Sequence, residues 1–219
     1  MSTNTDTIKT RKQQLRNRIQ AAKEDFFTIP QRRDSEADFL LPQLLRLPQW
    51  QEAPGILCYL SMEDEFPTDR ILQIARGSGK PVALPRLTGR GRMDFFLWDG
   101  ATQSLEPHPY GMLEPPSDPQ QLVQNHFLDF LGDSNAGTPH PWVCITPGLA
   151  FDRSCRRLGR GGGYYDHYIF RMRKDYPGAL YFLAMGLSFQ LQRAVPVDTY
   201  DQLVDATLVP QGLFTRTPA

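Results

Sequence analysis

No run in this chain is apolar for the length of a membrane span, and no short apolar core follows Met1 as a secretory leader would require. A membrane partner is therefore not expected, and the chain reads as a cytoplasmic protein. Cysteine is scarce: Cys58, Cys144 and Cys155 are an odd number without a C-x-x-C pair, which argues against a disulfide framework or a zinc site. Cys58 and Cys144 sit in apolar runs and are expected as buried small hydrophobes in a reducing compartment. Net charge is missing too. Lys plus Arg and Asp plus Glu both total 24, so no global field steers the molecule onto nucleic acid. The four histidines, His108, His126, His140 and His167, form no metal set. Neither a Walker loop nor a G-x-G-x-x-G fingerprint occurs.

Against that background one stretch stands out. Arg157-Leu158-Gly159-Arg160-Gly161-Gly162-Gly163-Tyr164-Tyr165-Asp166 interleaves four glycines with two arginines and then opens a helix. Glycines admit φ > 0 and let backbone N–H groups approach a ligand, while a helix start adds unpaired donors and partial positive charge. Arg157 and Arg160 are read as mobile forked donors for phosphate oxygens. Residues 153–174 carry seven Lys or Arg against one acid, Asp166, which suits a small polyanion; an RNA patch is the rival reading.

The elements around this loop follow from periodicity. Ile8, Leu15, Ile19, Ala22 and Phe26 share one side of a helix over 8–27, and Lys12 and Arg16, four apart, share another. A second helix is expected over 35–47, capped by Asp34 or Ser35 and bent or split by Pro42. Strands are expected at 55–60, 82–84, 93–98, 142–145, 180–187 and 206–209. Helices are expected from a Thr68 cap to Arg76, over 122–131 and over 164–174. The Pro- and Gly-rich residues 100–120 read as an ordered loop, and 133–141 as a mobile turn. Alternating strand and helix predict a single domain, 1–219, of three-layer α/β/α class with a largely parallel sheet, whose ligand site lies at the carboxyl ends of strands.

The stretch Pro147 to Asp166, PGLAFDRSCRRLGRGGGYYD, resembles the signature of 5-formyltetrahydrofolate cyclo-ligases, also called methenyltetrahydrofolate synthetases. Shorter matches keep family order: Lys12 with Arg16, Leu60 to Glu65, Leu84-Pro85-Arg86, Tyr110-Gly111, Glu114-Pro115, Val195-Pro196-Val197 and Asp201. The resemblance implies ATP- and Mg²⁺-dependent cyclisation of 5-formyltetrahydrofolate, with or without a polyglutamyl tail, by a monomer. It implies ATP contacts from Lys12, Arg16 and the run Arg157, Leu158, Gly159, Arg160, Gly161, Gly162, Gly163, Tyr164 and Tyr165, with Arg157 and Arg160 catalytic. For the folate it implies Leu60, Glu65, Met93, Tyr110, Arg160, Gly161, Gly162, Gly163 and Tyr164. For Mg²⁺ it implies Asp166 and Asp201, with Asp205 leaving that last register open. Cys155 stands where relatives often carry a turn glycine, so a φ > 0 there would mean strain. Two alternatives stay open: a noncatalytic homologue that binds RNA or a protein, and an ATP-dependent enzyme acting on another amide-like substrate.

Overall fold

The computed structural model describes residues 2–134 and 140–216. The elements in chain order are α1 (Ser2–Phe26), α2 (Arg32–Leu45), α3 (Pro48–Glu52), β1 (Ile56–Leu57), α4 (Asp69–Gly77), β2 (Val82–Gly89) and β3 (Arg92–Leu97). They continue with β4 (Glu106–Pro107), β5 (Leu113–Glu114), α5 (Pro119–Gln124), α6 (Phe127–Ser134), β6 (Trp142–Thr146), β7 (Ala150–Phe151) and β8 (Arg157–Leu158). The last are α7 (Tyr164–Asp175), β9 (Leu180–Met185), β10 (Ala206–Val209) and β11 (Gly212–Thr215).

One sheet organises them, in the order β11-β10-β9-β6-β1-β2-β3. From β10 to β2 all neighbours are parallel; only the edge strands β3 and β11 run antiparallel. Successive strand residues face opposite sides, and both sides are apolar, as a sheet covered by helices on each face requires. Ile56, Val143, Ile145, Leu183 and Leu208 join Leu40, Leu44, Ile71 and Leu72 of α2 and α4. Leu57, Cys144, Phe182 and Ala184 join Phe127 of α6 and Tyr168, Ile169 and Met172 of α7. The result is the expected three-layer α/β/α arrangement with a mixed, mostly parallel sheet.

Several local expectations give way to tertiary contacts. Pro42 does not split α2, because the apolar side of that helix buries Leu40, Leu41 and Leu44 on both sides of the proline and offsets the lost backbone bond. Helix α2 also starts earlier, after Gln31 at φ 66°, with no side-chain cap. Thr68 precedes α4 without capping it: its hydroxyl donates to Tyr59 O at 2.7 Å instead. The single helix expected over 122–131 is two, broken where Leu97 N–H takes the Asn125 carbonyl at 2.7 Å and His126 bridges to Phe96 of the edge strand. The loop 100–120 contains the small antiparallel hairpin β4–β5. The segment 133–141 lies largely outside the described residues.

Candidate active site

A cavity of about 620 Å³ opens where β1 and β6 end. Parallel strands deliver their following residues to the same edge, so Tyr59 and Leu60 after β1 meet Pro147 and Gly148 after β6. Every residue that the sequence nominated for nucleotide, folate or metal lines this cavity: Lys12, Arg16, Leu60, Glu65, Met93, Tyr110, the whole run from Arg157 to Asp166, and Asp201.

The glycine-rich run is built on a hairpin. β7 pairs with β8, setting Ala150 opposite Leu158 and Phe151 opposite Arg157. Asp152, buried, organises the turn between them: Oδ1 accepts from Ser154 N–H at 2.9 Å and Arg156 N–H at 3.2 Å, and Oδ2 accepts from Val195 N–H at 2.8 Å. Cys155 sits in that turn at φ 59°, so the strain anticipated for a non-glycine residue is present. Its side chain is fully buried, with Sγ 3.3 Å from Phe214 O. Beyond β8, Gly163 at φ 72° turns the chain into α7, and a side chain on Gly162 would collide with the Tyr164 ring at 2.5 Å.

Helix α1 supplies the opposite wall. Leu15 and Ile19 pack with Ala150, Leu158 and Val195, which seats the helix on the hairpin. Its polar stripe then faces the cavity. Arg16 Nε donates to Gly159 O at 3.1 Å, fixing the glycine-rich loop to the helix. Lys12 Nζ lies 2.7 Å from Asp198 Oδ2 and 2.5 Å from Asp201 Oδ2. Burial alone would lower the Lys12 pKa, but hydrogen bonds to Asp198 and Asp201 outweigh it and raise the pKa above the usual lysine value.

The two arginines of the run differ in kind. Arg160 is half exposed and bridges to Asp64 and Glu65 across the cavity. Arg157 is not the mobile surface charge expected: its side chain is only 4% exposed, because β8 carries it inward beneath the loop. There Nη2 donates to Asp166 Oδ1 at 3.0 Å and Nη1 to Pro147 O at 3.4 Å, while the guanidinium lies 5.6 Å from the Tyr165 ring centroid. Arg157 Nε and the Tyr165 hydroxyl are buried without a hydrogen-bond partner among the described residues. Burial pushes the Tyr165 phenol well above its ordinary pKa, so it stays a neutral donor.

The folate-side candidates form the rest of the lining. Glu65 follows β1 on a segment that Arg33 holds, its Nε donating to Glu65 O at 2.8 Å. Asp64 accepts from Lys23 Nζ at 2.8 Å. Burial would raise the Asp64 pKa, yet Lys23 and then Arg160 hold it below the usual carboxylate range. Tyr110 and Met112 come from the β4–β5 hairpin, anchored by Glu114, whose buried Oε1 accepts from Leu87 N–H at 3.1 Å. Lys23 and Asp198 are contributors that the sequence reading missed, while Asp152 and Glu114 fell inside family-like motifs without being given a role. The Asp-Arg-Ser run 152–154 signals a turn, Lys23 continues the α1 stripe seven residues beyond Arg16, and Glu114 belongs to the matched Glu114-Pro115 pair; Asp198 leaves no local trace.

For a metal, the donors are carboxylates. Asp166 and Asp201 line one cavity, and Gln202 N–H donates to Asp166 Oδ1 at 3.1 Å, tying the two segments together. Hard oxygen donors, two per ion, fit Mg²⁺, which completes its shell with water and phosphate oxygens. No group of three or more His, Cys, Asp or Glu gathers for a metal among the described residues. Asp205 belongs elsewhere: Arg173 Nη2 holds Oδ1 at 2.6 Å and Phe182 N–H holds Oδ2 at 2.8 Å. No helix among the described residues is long and apolar enough to cross a membrane.

Known proteins resemble the chain in sequence and in fold. A profile described as the 5-formyltetrahydrofolate cyclo-ligase family matches residues 8–210. A probable 5-formyltetrahydrofolate cyclo-ligase of Schizosaccharomyces pombe is 28% identical over 189 residues, covering 83% of this chain and 87% of the relative. A mitochondrial 5-formyltetrahydrofolate cyclo-ligase of Arabidopsis thaliana is 30% identical over 203 residues, covering 86% and 71%. In fold, a 5,10-methenyltetrahydrofolate synthetase of Aquifex aeolicus matches with a TM-score of 0.69 at 19% identity, over 95% of this chain and 94% of that one.

Proposed function

This chain belongs to the 5-formyltetrahydrofolate cyclo-ligase family and is an enzyme of that kind; from this premise we propose that its cavity takes 5-formyltetrahydrofolate and ATP together and releases 5,10-methenyltetrahydrofolate, ADP and phosphate. The formyl oxygen is a poor leaving group. It attacks the γ-phosphorus, the bond to ADP breaks, and N10 adds to the activated carbon. Phosphate then leaves with the former formyl oxygen, and the N10 proton passes to solvent or to that phosphate. Substrate atoms are the nucleophiles in both steps, so the protein's task is positioning and neutralisation of charge.

The observation that carries this reading is the meeting in one cavity of cationic groups around a glycine-rich loop, Lys12, Arg16 and Arg160, with a carboxylate, Glu65, set among Leu60, Met93 and Tyr110. Lys12, Arg16, Arg160 and the loop N–H groups hold the phosphates. Arg157 fixes the shape of the loop and the orientation of Asp166. Mg²⁺, held by Asp166 and Asp201, would supply neutralisation of the transferring phosphoryl charge. Glu65 accepts from the pterin N–H edge, and Tyr110 covers a flat ring. The Tyr165 hydroxyl and Arg157 Nε are buried beneath the loop without partners among the described residues, donors that a shift of the loop on ligand binding would expose. Three free, buried thiols agree with a reducing compartment, which we take to be the cytoplasm.

Bridging N5 and N10 changes the conjugation of the folate, so product formation is read from its long-wavelength absorption. Purified protein should give that change only with ATP and Mg²⁺ both present, releasing ADP in proportion. A change without ATP refutes the phosphorylation chemistry. No change in folded, nucleotide-binding protein refutes the substrate.

A further inference from the structure

The two rims of the cavity are joined by charge through a single nitrogen. Arg160 Nη2 lies 3.1 Å from Glu65 Oε1 and 3.3 Å and 3.4 Å from the two oxygens of Asp64. The segment bearing these carboxylates is a fixed post: Arg33 donates to the carbonyl oxygens of Glu65 and Met62, and Met62 N–H donates to Glu65 Oε2 at 3.1 Å. The arginine is the movable partner, because its side chain is half exposed and glycines flank it on both sides. Asp64 is shared, however. Lys23 Nζ sits 2.8 Å from its Oδ2. A carboxylate already facing an ammonium attracts a second cation less strongly than a bare one, so Lys23 weakens the hold of Asp64 on Arg160.

We propose that Asp64 and Lys23 are positioning residues that make the two substrates bind cooperatively by controlling the release of Arg160. The proposal rests on the folate role of Glu65 and the phosphate role of Arg160 given above. A pterin edge that donates to Glu65 competes with Arg160 for the Oε1 atom it now uses. Folate therefore loosens one anchor of the arginine, Lys23 keeps the other weak, and Arg160 swings to the nucleotide phosphates. Linkage requires the reverse as well: phosphates that draw Arg160 away leave Glu65 open to the pterin by the same factor.

Calorimetric titrations test this, using 5-formyltetrahydrofolate and a non-hydrolysable β,γ-imido analogue of ATP in Mg²⁺ buffer, each alone and each with the other at saturation. Each ligand should tighten the other equally, about two- to tenfold, the range that one or two half-exposed ion pairs supply. With nucleotide alone, Asp64→Asn should bind more tightly than the parent, because one anchor is gone. Lys23→Met should bind more weakly, because the remaining anchor is stronger. Opposite signs separate positioning from damage to the fold, which weakens binding in both variants. Equal nucleotide affinity with and without folate, or variants that shift in the same direction, overturns the proposal. If folate does not bind the parent, the substrate reading falls, and the nucleotide-only titrations still decide the tether: opposite shifts retain it and unchanged affinities discard it.

Discussion

Replacing Arg157 and Arg160 by alanine, one at a time, should damage two different properties of the protein although the residues are three apart in one motif. Arg157 is buried and faces Asp166, itself 17% exposed, so Arg157→Ala strands a carboxylate that is mostly shielded from water. Breaking such a pair from one side costs about 3 kcal/mol, the low end of the usual range because Asp166 keeps some solvent. For a chain of this length that is roughly a 6–12 °C fall in Tm. Arg160 is half exposed and its ion pairs are surface pairs, so Arg160→Ala should cost under about 1 kcal/mol of stability. What it removes is a charge-assisted contact to phosphate, worth about 1.5 to 3 kcal/mol, or a loss of about 10- to 160-fold in turnover. Thermal melting paired with the ATP-dependent absorbance assay reads both effects. The double variant Arg157→Ala/Asp166→Asn should recover part of the lost stability, since it removes the stranded charge. An Arg157→Ala protein that melts with the parent, or an Arg160→Ala protein that turns over normally, refutes the assignment of these roles.

Asp166→Asn and Asp201→Asn should each raise the Mg²⁺ concentration needed for half-maximal turnover, and a metal titration that superposes on the parent for both makes these carboxylates structural. The pKa of Lys12 is raised, so its stabilising pairs are complete below the ordinary lysine range and are lost as pH climbs through the raised value; those of Asp64 and Asp198 are lowered, so their contributions are present above the ordinary carboxylate range and are lost as pH falls through the lowered values. Melting followed against pH should accordingly show an acid limb that flattens in Asp64→Asn and an alkaline limb that flattens in Lys12→Met. Burial raises all three thiols, Cys144 up to about 12, so a disulfide reagent at pH 8 should label the native protein slowly and the denatured protein at all three positions.

Much of this architecture was readable because its signals are local. The strands that became β2, β3, β6, β9 and β10 are short apolar runs bounded by turn residues, and the glycine-rich loop with its following helix declares its own geometry. The cavity lining was readable because the family-like motifs fall at strand ends that a parallel sheet gathers on one edge. What escaped depends on distant partners. The break at Asn125–His126 exists because the edge strand captures that backbone, and Pro42 is tolerated because leucines on both sides of it are buried. The burial of Arg157 follows from the pairing of β7 with β8, two-residue strands without a periodic pattern. Glu114 reaches the cavity through the β4–β5 hairpin, whose prolines disguise it as loop.

The docking of α1 has a consequence for affinity. This helix lends the cavity Lys12 and Arg16, and sets Lys23 against Asp64, yet it is held by side chains rather than by the hydrogen-bond ladders that bind the strands. Leu15, Ile19 and Phe26 are its buried apolar anchors among the described residues. Elements attached in this way detach at lower free energy than the central strands and do so as a unit. Each excursion takes both lining cations, Lys12 and Arg16, away at once, so the fraction of time the helix is seated multiplies the intrinsic affinity for nucleotide. Bound nucleotide returns the favour by adding its own free energy to the seating of the helix. Amide exchange along α1 thus becomes a gauge of site occupancy, read on a backbone that itself undergoes no chemical change.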